Sequence, residues 1–369
     1  SPALTNEEIF LSIMLAKEGL RSKGIYSFYL SPLNLTKKEE FPISTISLNE
    51  INKNSLIILH DLDLTRTAPI VGVKVRQAVK NGALLIAVDS STKMFRMLDN
   101  VVSIGFDTRA IKEIIEKNAK NFNNAIVISK ARPSSNKLTE WFTIRNLQHE
   151  FSLELAWGYL FVGAPANIQG LIDMFIPIDK EEMIPFDECM RMLKGGELSA
   201  LIIGEDPIGA QYPYRVALEG ASSLVVLDGY LTETASLADL FIPISLWHET
   251  AGTFTNLERR LRKLNKITEP PSGYSTISIL EKIGNSFGIK LPSDPVTIFE
   301  KLSDEIKQYA EFEIDNVYDL NLLSVNCEKL TIPPAKEDFE HSIPESDTSY
   351  FQKALINYLK HKGLKNLPA

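Results

Sequence analysis

The chain has 369 residues, a length that predicts about two domains, and its 44% hydrophobic and 23% charged residues are typical of a globular protein. A formal net charge of -8 without a long basic tract argues against a nucleic-acid partner, because such proteins concentrate Lys and Arg against phosphates. The two cysteines are too few for a disulfide framework or a chain-held iron–sulfur cluster, and no apolar run reaches the roughly 18 residues of a membrane span.

Helices and buried strands are predicted to alternate along the first part of the chain. Thr5 precedes an apolar-periodic run and Glu8 follows three residues later, a capping-box pattern that predicts a helix running to Gly19. Short continuous apolar runs are typical of strands that are buried on both faces. They predict strands at 25–30, 55–60, 83–88, 101–105 and 125–129, with helices over 69–80, 108–120 and 138–161. Strands that alternate with helices at this spacing indicate a parallel sheet.

A Gly- and Asn-containing stretch at 163–170 interrupts the pattern, and the domain boundary is predicted there. Residues 1–165 form the first predicted α/β domain, 166–311 the second, and 312–369 an extended C-terminal arm with a short helix at 350–362. In the second domain we expect helices over 185–194, 275–287 and 296–309 and strands over 198–203, 223–228 and 240–243.

The most informative stretch is 231–262. It holds a polar loop, an apolar strand ending in Pro243, a Gly-Thr-x-Thr-Asn turn beginning at Gly252, and an acid-flanked basic run. It resembles the segment of molybdopterin-dependent oxidoreductases written T-x-T-A-x-x-A-D-(apolar)-L-P…E-x-x-G-T-F-T-N-x-E-x-R. Shorter matches, N-x-Q-G at 167–170 and G-E-[ND]-P at 204–207, extend the resemblance over most of residues 1–305. It implies an α/β fold with two mainly parallel, Rossmann-like domains of the formate dehydrogenase type.

In cofactor-bearing members of that family, loops after the strands hold the two guanine dinucleotide arms of a bis-pterin. By similarity, Gly204, Asp206, Asp228 and Thr232 would face one arm and Asp89 the other. A glycine lets backbone approach a pyrophosphate, a carboxylate can accept from a guanine edge, and a threonine hydroxyl can donate to a phosphate. Without that context, the loop at Gly204 is also typical of a plain turn, and Asp228 of a capping residue.

The sequence predicted to face the second arm departs from the family pattern. Its usual D-P-R strand end reads Asp-Ser-Ser from Asp89, so an Arg suited to phosphate is missing. The loop after strand 55–60 reads His-Asp-Leu-Asp from His60, and its two carboxylates would oppose a pyrophosphate unless a cation such as Arg66 compensates. The resemblance therefore implies a vestigial molybdopterin guanine dinucleotide site, with no catalytic residue, no metal ligand and no cofactor bound by this segment.

The segment 249–258 resembles the molybdopterin-like part of the large iron–sulfur subunit of bacterial NADH:quinone oxidoreductase, complex I, which has generally lost the metal. That resemblance predicts a structural module that supports NADH-to-quinone electron transfer without a redox centre of its own. Iron–sulfur clusters are expected only upstream or in partners. The partners would be other subunits of the complex, and the location cytoplasmic and peripheral to the membrane, or on the matrix side of a mitochondrion. Two alternatives stay open: part of a molybdenum or tungsten bis-pterin enzyme such as formate dehydrogenase, or a crevice for an ordinary nucleotide.

Four further features have simpler readings. His248 beside Glu249 could relay protons, but a hydrogen-bonded surface His is the commoner case, and His60 simply ends a strand. Cys189 on a predicted helix is typical of packing. Arg259 stands where the family usually has Gly, and the basic run that it begins is typical of a solvated face or a docking patch.

Overall fold

The computed structural model describes residues 1–31, 41–132, 137–152, 154–163, 165–178, 183–210, 213–306 and 309–310. The predicted C-terminal arm, with its helix at 350–362, lies outside these residues. No helix in these described ranges is long and apolar enough to cross a membrane.

A five-stranded parallel sheet is built from the first half of the chain. Its strands are β1 Ser55–His60, β2 Leu84–Val88, β3 Val101–Ile104, β4 Asn124–Lys130 and β5 Ala156–Val162, in the order β3-β2-β1-β4-β5. The helices between them are α2 Leu64–Thr67, α3 Pro69–Lys80, α4 Thr108–Asn118 and α5 Leu138–Phe151. Helix α3 ends at Asn81-Gly82 as predicted, with Gly82 at a φ of 121°.

Helices cover both faces of this sheet. Along the central strand β1, Leu56 and Ile58 pack on the side of α4 and α5, whereas Ile57 and Leu59 pack on the side of α3. Alternate side chains of a strand point to opposite faces, and all four are completely buried here. This burial explains why β1 reads as a continuous apolar run rather than an alternating one.

A three-stranded parallel sheet follows, with β6 Ser199–Ile203, β7 Ser223–Asp228 and β8 Leu240–Pro243 in chain order. An antiparallel hairpin of β9 Gly252–Thr255 and β10 Leu261–Leu264 comes next. The remaining helices are α6 Ile168–Phe175, α7 Phe186–Lys194, α8 Arg215–Glu219, α9 Thr276–Ser286 and α10 Pro295–Glu305. The expected α/β class with mainly parallel sheets is confirmed.

The predicted N-terminal helix is present as α1 Asn6–Met14, and it continues as a π-helical turn, Leu15–Gly19. Its capping box is complete, since the Thr5 hydroxyl accepts from Glu8 N (3.1 Å) and the Glu8 carboxylate accepts from Thr5 N (2.9 Å). Helix α1 packs against α6, α9, α10 and β9, which all lie beyond residue 165. The division at 165/166 stays a prediction.

Two predicted elements are wrong. Residues 25–30 do not form a strand, because their backbone hydrogen bonds close a local turn, in which Leu30 N donates to Ser27 O. The helix over 138–161 ends at Phe151, and β5 begins at Ala156. The β5 sequence, AWGYLFV, lacks polar alternation because most of it is buried, so periodicity alone does not separate it from a buried helix.

Candidate functional site

Gly204 begins the loop after β6 with its backbone in the left-handed region, at a φ of 66°. Its N–H donates to the carbonyl of Leu227 on β7 at 2.7 Å. A Cβ built at this position would lie 3.3 Å from the Leu4 side chain, so the residue packs closely against the N-terminal segment. Glycine is suited to this site by both the turn and the close approach of Leu4.

Asp206 is buried and joins the loop after β6 to the loop after β7. Its Oδ1 accepts hydrogen bonds from Gly209 N (2.9 Å), Thr234 N (3.0 Å) and the Thr234 hydroxyl (2.5 Å). The Thr234 hydroxyl oxygen accepts in turn from Ile208 N at 3.1 Å. Because a carboxylate that accepts several N–H and O–H groups is held firmly, this contact fixes the two loops against each other.

Asp228 and Thr232 are also buried and are bonded within their own loop. Asp228 Oδ1 accepts from Tyr230 N at 3.0 Å. The Thr232 hydroxyl accepts from Ala235 N at 3.1 Å, at the start of a short 3-10 turn. The structure therefore brings together Gly204, Asp206, Asp228 and Thr232 at the carboxyl end of one sheet, but with these hydrogen bonds directed into the protein.

Glu205 is a buried residue at this edge whose contact the sequence did not predict. One carboxylate oxygen accepts from the Ser27 hydroxyl at 2.7 Å and the other from Phe28 N at 2.8 Å. The Phe28 ring then packs against Phe186 and Tyr214, with ring centroids 5.9 and 5.3 Å apart. The segment around residue 28 thus lies over the loop that begins at Gly204. No local signal could indicate this contact, because 178 residues separate Ser27 from Glu205.

Asp89, the residue predicted for the second arm, lies at the carboxyl edge of the five-stranded sheet in a chain of polar contacts. Its carboxylate accepts from the Lys137 ammonium at 2.7 Å, and Lys137 also donates to Glu140 at 2.9 Å. Glu140 contacts His60 Nε2 at 3.2 Å, and His60 Nδ1 contacts the Ser129 hydroxyl at 3.2 Å. Burial lowers the pKa of His60 below its usual value, against the opposing effect of Glu140. We call these five residues the sheet-edge network.

The two carboxylates after β1 are paired as well. Asp61, with a φ of 50°, lies 3.0 Å from the Lys130 ammonium. Asp63 caps α2 by accepting from Thr65 N at 3.0 Å, and its bond to the Thr65 hydroxyl, together with this one, lowers the pKa of the carboxyl. Both charges are therefore used to position the loop.

The expectation that Arg259 lies on a solvated face is wrong. Its side chain is buried, and its Nη2 donates to Asp173 Oδ1 at 2.7 Å. The other oxygen of Asp173 accepts from the Tyr309 hydroxyl at 3.0 Å. Arg259 has a φ of 57°, the left-handed conformation that Gly adopts easily. The turn after Glu258 thus tolerates Arg in the position of the usual Gly, and the side chain gains a buried partner.

The Gly-Thr-Phe-Thr motif forms strand β9 and contacts α1. Thr253 donates to Glu7 through its N–H (2.7 Å) and its hydroxyl (2.8 Å), and Thr255 N donates to Asn167 Oδ1 at 2.7 Å. Burial raises the pKa of Glu7 to about 7. A Cβ at Gly252 would lie 2.4 Å from the Glu7 carboxylate. The motif therefore holds a buried polar core together. We call Glu7, Thr253, Thr255, Asp173, Arg259 and Tyr309 the buried network.

The other candidate residues of the sequence analysis, His248 and Cys189, do not belong to a comparable polar cluster among the residues that the structure describes. His248 Nε2 lies 3.7 Å from Glu249, whose other oxygen accepts from Leu246 N at 2.9 Å. Cys189 is a buried packing residue. Over the described residues, no group of three or more His, Cys, Asp or Glu side chains could hold a metal ion. A cavity of about 570 Å³, lined partly by Asn52, Lys53 and Lys74, lies near the start of β1, away from the strand ends discussed above.

Residues 1–276 match the family model described as molybdopterin oxidoreductase. The chain belongs to the molybdopterin oxidoreductase family, as the sequence resemblance indicated.

The curated relatives of the chain include formate dehydrogenase and NADH-quinone oxidoreductase subunits. The chain is 35% identical over 123 residues to the F420-dependent formate dehydrogenase 2 subunit alpha of Methanococcus maripaludis, a match that covers 31% of this chain and 18% of the relative. It is 34% identical over 139 residues to an NADH-quinone oxidoreductase subunit of Rhizobium meliloti, covering 36% and 16%. Each match thus spans less than a fifth of the relative's length. The acetylene hydratase of Pelobacter acetylenicus has a similar fold, with a TM-score of 0.51 at 14% identity over 82% of this chain and 57% of that one.

The family's pterin cofactor can be compared with the residues at the predicted site. Asp206, Asp228 and Thr232 are at most 4% exposed and bond within the protein, and Asp89 is paired with Lys137. In this arrangement these side chains do not fit a dinucleotide, which would have to reach them from a crevice. Their assignment as cofactor-binding residues stays a prediction.

Proposed function

We propose that this chain is a structural module of an NADH dehydrogenase (complex I) iron–sulfur subunit and holds no redox centre itself. The observation that supports the proposal most is the Asp206–Thr234 bridge, which uses a predicted cofactor-binding carboxylate to tie two loops together. Glu205 adds to it by binding the segment at Ser27 over the same loop. A site whose polar groups satisfy one another serves packing better than ligand exchange.

In this role the chain would support NADH-to-quinone electron transfer by holding its shape beside clusters carried upstream or by partner subunits. The 34% identity to a subunit of an NADH-quinone oxidoreductase favours that placement. Residues 312–369 would wrap a neighbouring subunit, because a weakly patterned segment orders well on a partner's surface. The module would then be cytoplasmic, or on the matrix side in a mitochondrion, and peripheral to the membrane through its partners.

The second candidate is part of a molybdenum or tungsten bis-pterin enzyme such as a formate dehydrogenase. The 35% identity to an F420-dependent formate dehydrogenase subunit alpha favours this candidate. In that case the metal would supply the redox chemistry, and the loops at Gly204 and Asp228 would open to hold a pterin arm.

The deciding experiment is a molybdenum and tungsten assay by mass spectrometry, with pterin fluorescence after acid oxidation, on the parent complex purified from its native host. The structural module predicts neither metal nor pterin in a complex that still oxidises NADH. Near-stoichiometric metal and pterin assigned to this subunit would overturn the structural module and favour the bis-pterin enzyme.

A further inference from the structure

An exposed apolar patch lies beside the carboxyl edge of the five-stranded sheet. Ile70 and Val73, one turn apart on the same side of α3, are 72% and 49% exposed, and Met97 is fully exposed. The turn that carries Met97 packs on α3, because a Cβ at Gly72 would lie 2.4 Å from the Met94 sulfur and the Arg76 guanidinium donates to Met94 O. Residues 63–76 and 93–99 thus form one surface, the α3 patch.

Met97 is held in a conformation that brings its side chain no buried contact among the described residues. Its φ of 65° is left-handed, which is uncommon and unfavourable for a long side chain, yet the side chain buries no surface. Backbone strain of this kind persists where the exposed side chain has a use, and strained positions cluster at binding sites. An apolar side chain raised on a strained loop suits insertion into a partner's pocket.

The charges around the patch define the partner. The two segments carry five cations, Arg66, Lys74, Arg76, Lys93 and Arg96, against two acids, Asp63 and Asp99, whereas the whole chain has a net charge of -8. Asp63 is already engaged in capping α2. A basic rim around an apolar centre matches an acidic rim around an apolar side chain, and such complementarity steers association and selects partners.

Two other occupants fit less well. A symmetric pair of copies would place one basic rim against another. A lipid surface would also attract the cations, but it offers no fixed pocket for the Met97 side chain. We propose that the α3 patch binds an acidic surface of a neighbouring polypeptide in the parent assembly, with Met97 and Ile70 at the centre of the contact. This inference rests on the proposed function in that it needs a parent assembly, and it applies whether or not that assembly holds a pterin.

The test uses the full-length chain in its native host, with p-benzoylphenylalanine in place of Met97 and, as a control, in place of Ile267. Ile267 is 70% exposed, close to the 72% of Ile70, but lies outside the patch. We expect position 97 to crosslink to one polypeptide of the purified complex, at a peptide containing several Asp or Glu residues, and position 267 not to reach that peptide. Crosslinks from position 97 only to lipid, to a second copy or to a peptide without acids would overturn the proposal.

A second measurement keeps the proposal testable without crosslinking. Ile70→Asp should reduce by on the order of tenfold the amount of at least one polypeptide that co-purifies with the chain, since a charge is placed in the apolar centre, and Ile267→Asp should leave the co-purifying polypeptides unchanged. Arg96→Glu should weaken retention more at low salt than at high salt, because the rim acts through screened charges. Both aspartate variants should keep the parent's melting temperature within about 2 °C, since surface substitutions change stability little. Equal partner retention in Ile70→Asp and Ile267→Asp at every salt concentration would contradict the proposal.

Discussion

The buried network and the sheet-edge network use similar side chains under different physical conditions. Arg259 and Asp173 are at most 3% exposed and pair at 2.7 Å. Lys137 and Asp89 pair at the same distance, but their side chains are 23% and 29% exposed. A buried charge that loses its partner stays desolvated, whereas an exposed one regains water. Equal distances therefore carry unequal consequences, and burial decides which pair the fold depends on.

The largest expected effect is the loss of the buried pair. Arg259→Met should lower the free energy of unfolding by about 3–5 kcal/mol, because Asp173 would be left buried and uncompensated. Urea denaturation of the full chain measures this loss. The double variant Asp173→Asn/Arg259→Met should recover part of it, since the stranded charge is then removed. A loss below about 1 kcal/mol would place this pair on a level with exposed ones.

The Asp206 bridge should rank next. Asp206→Ala removes the acceptor of three hydrogen bonds and leaves donors of Thr234 and Gly209 buried, so we expect the unfolding free energy to fall by about 2–4 kcal/mol. Asp206→Asn keeps an acceptor oxygen and should cost less. If the two variants are equally destabilised, the bridge does not act through these hydrogen bonds.

The pKa of Glu7 makes the buried network sensitive to pH. Its folded value of about 7 exceeds the ordinary value of 4.5, so the folded state holds an extra proton between these values. The contribution of protonated Glu7 to the free energy of unfolding is therefore full below pH 4.5 and is lost as pH rises through 7. The loss amounts to about 3 kcal/mol at most. Unfolding free energies at pH 5 and pH 8 measure it. Glu7→Gln should flatten the dependence of unfolding free energy on pH. An unchanged dependence in that variant would argue against Glu7 as its source.

The smallest effect is expected at the sheet-edge network. Lys137→Met should change the unfolding free energy by less than about 1 kcal/mol, because Asp89 and Glu140 are partly solvated and can recover water. Added salt should reduce even this difference, which parallel urea titrations at low and high ionic strength would detect. A loss as large as that of Arg259→Met would show that exposure does not separate the two networks.

Local sequence signals predicted most of the fold. Four elements appear at their predicted bounds, namely strands β1, β7 and β8 and helix α3. The start of α1 was predicted as well, from the Thr5–Glu8 capping box. Apolar runs and capping boxes are local patterns, so the sequence shows them directly. The loops that carry Gly204 and Asp228 also come together, because parallel strands end at one edge.

The bonding of the site was less predictable. Glu205 binds a segment 178 residues away, and Arg259 reaches Asp173 86 residues away, so neither contact leaves a periodic trace. Arg259 illustrates the physical reason. A basic run normally indicates a solvated face, but tertiary packing turned one of its members inward through a left-handed backbone that the sequence pattern associates with Gly.

The contact between α1 and β9 also sets an order of events during synthesis. Asn6 donates to Thr253 across 247 residues, and Glu7 bonds to the same threonine across 246. At about 5–20 residues per second, the ribosome needs on the order of 10–50 s to deliver that strand after α1 has emerged. The five-stranded sheet is complete in sequence before then, so it has time to fold first. Helix α1 is made before that sheet but can complete its docking only when β9 arrives, and until then its acidic end stays in water.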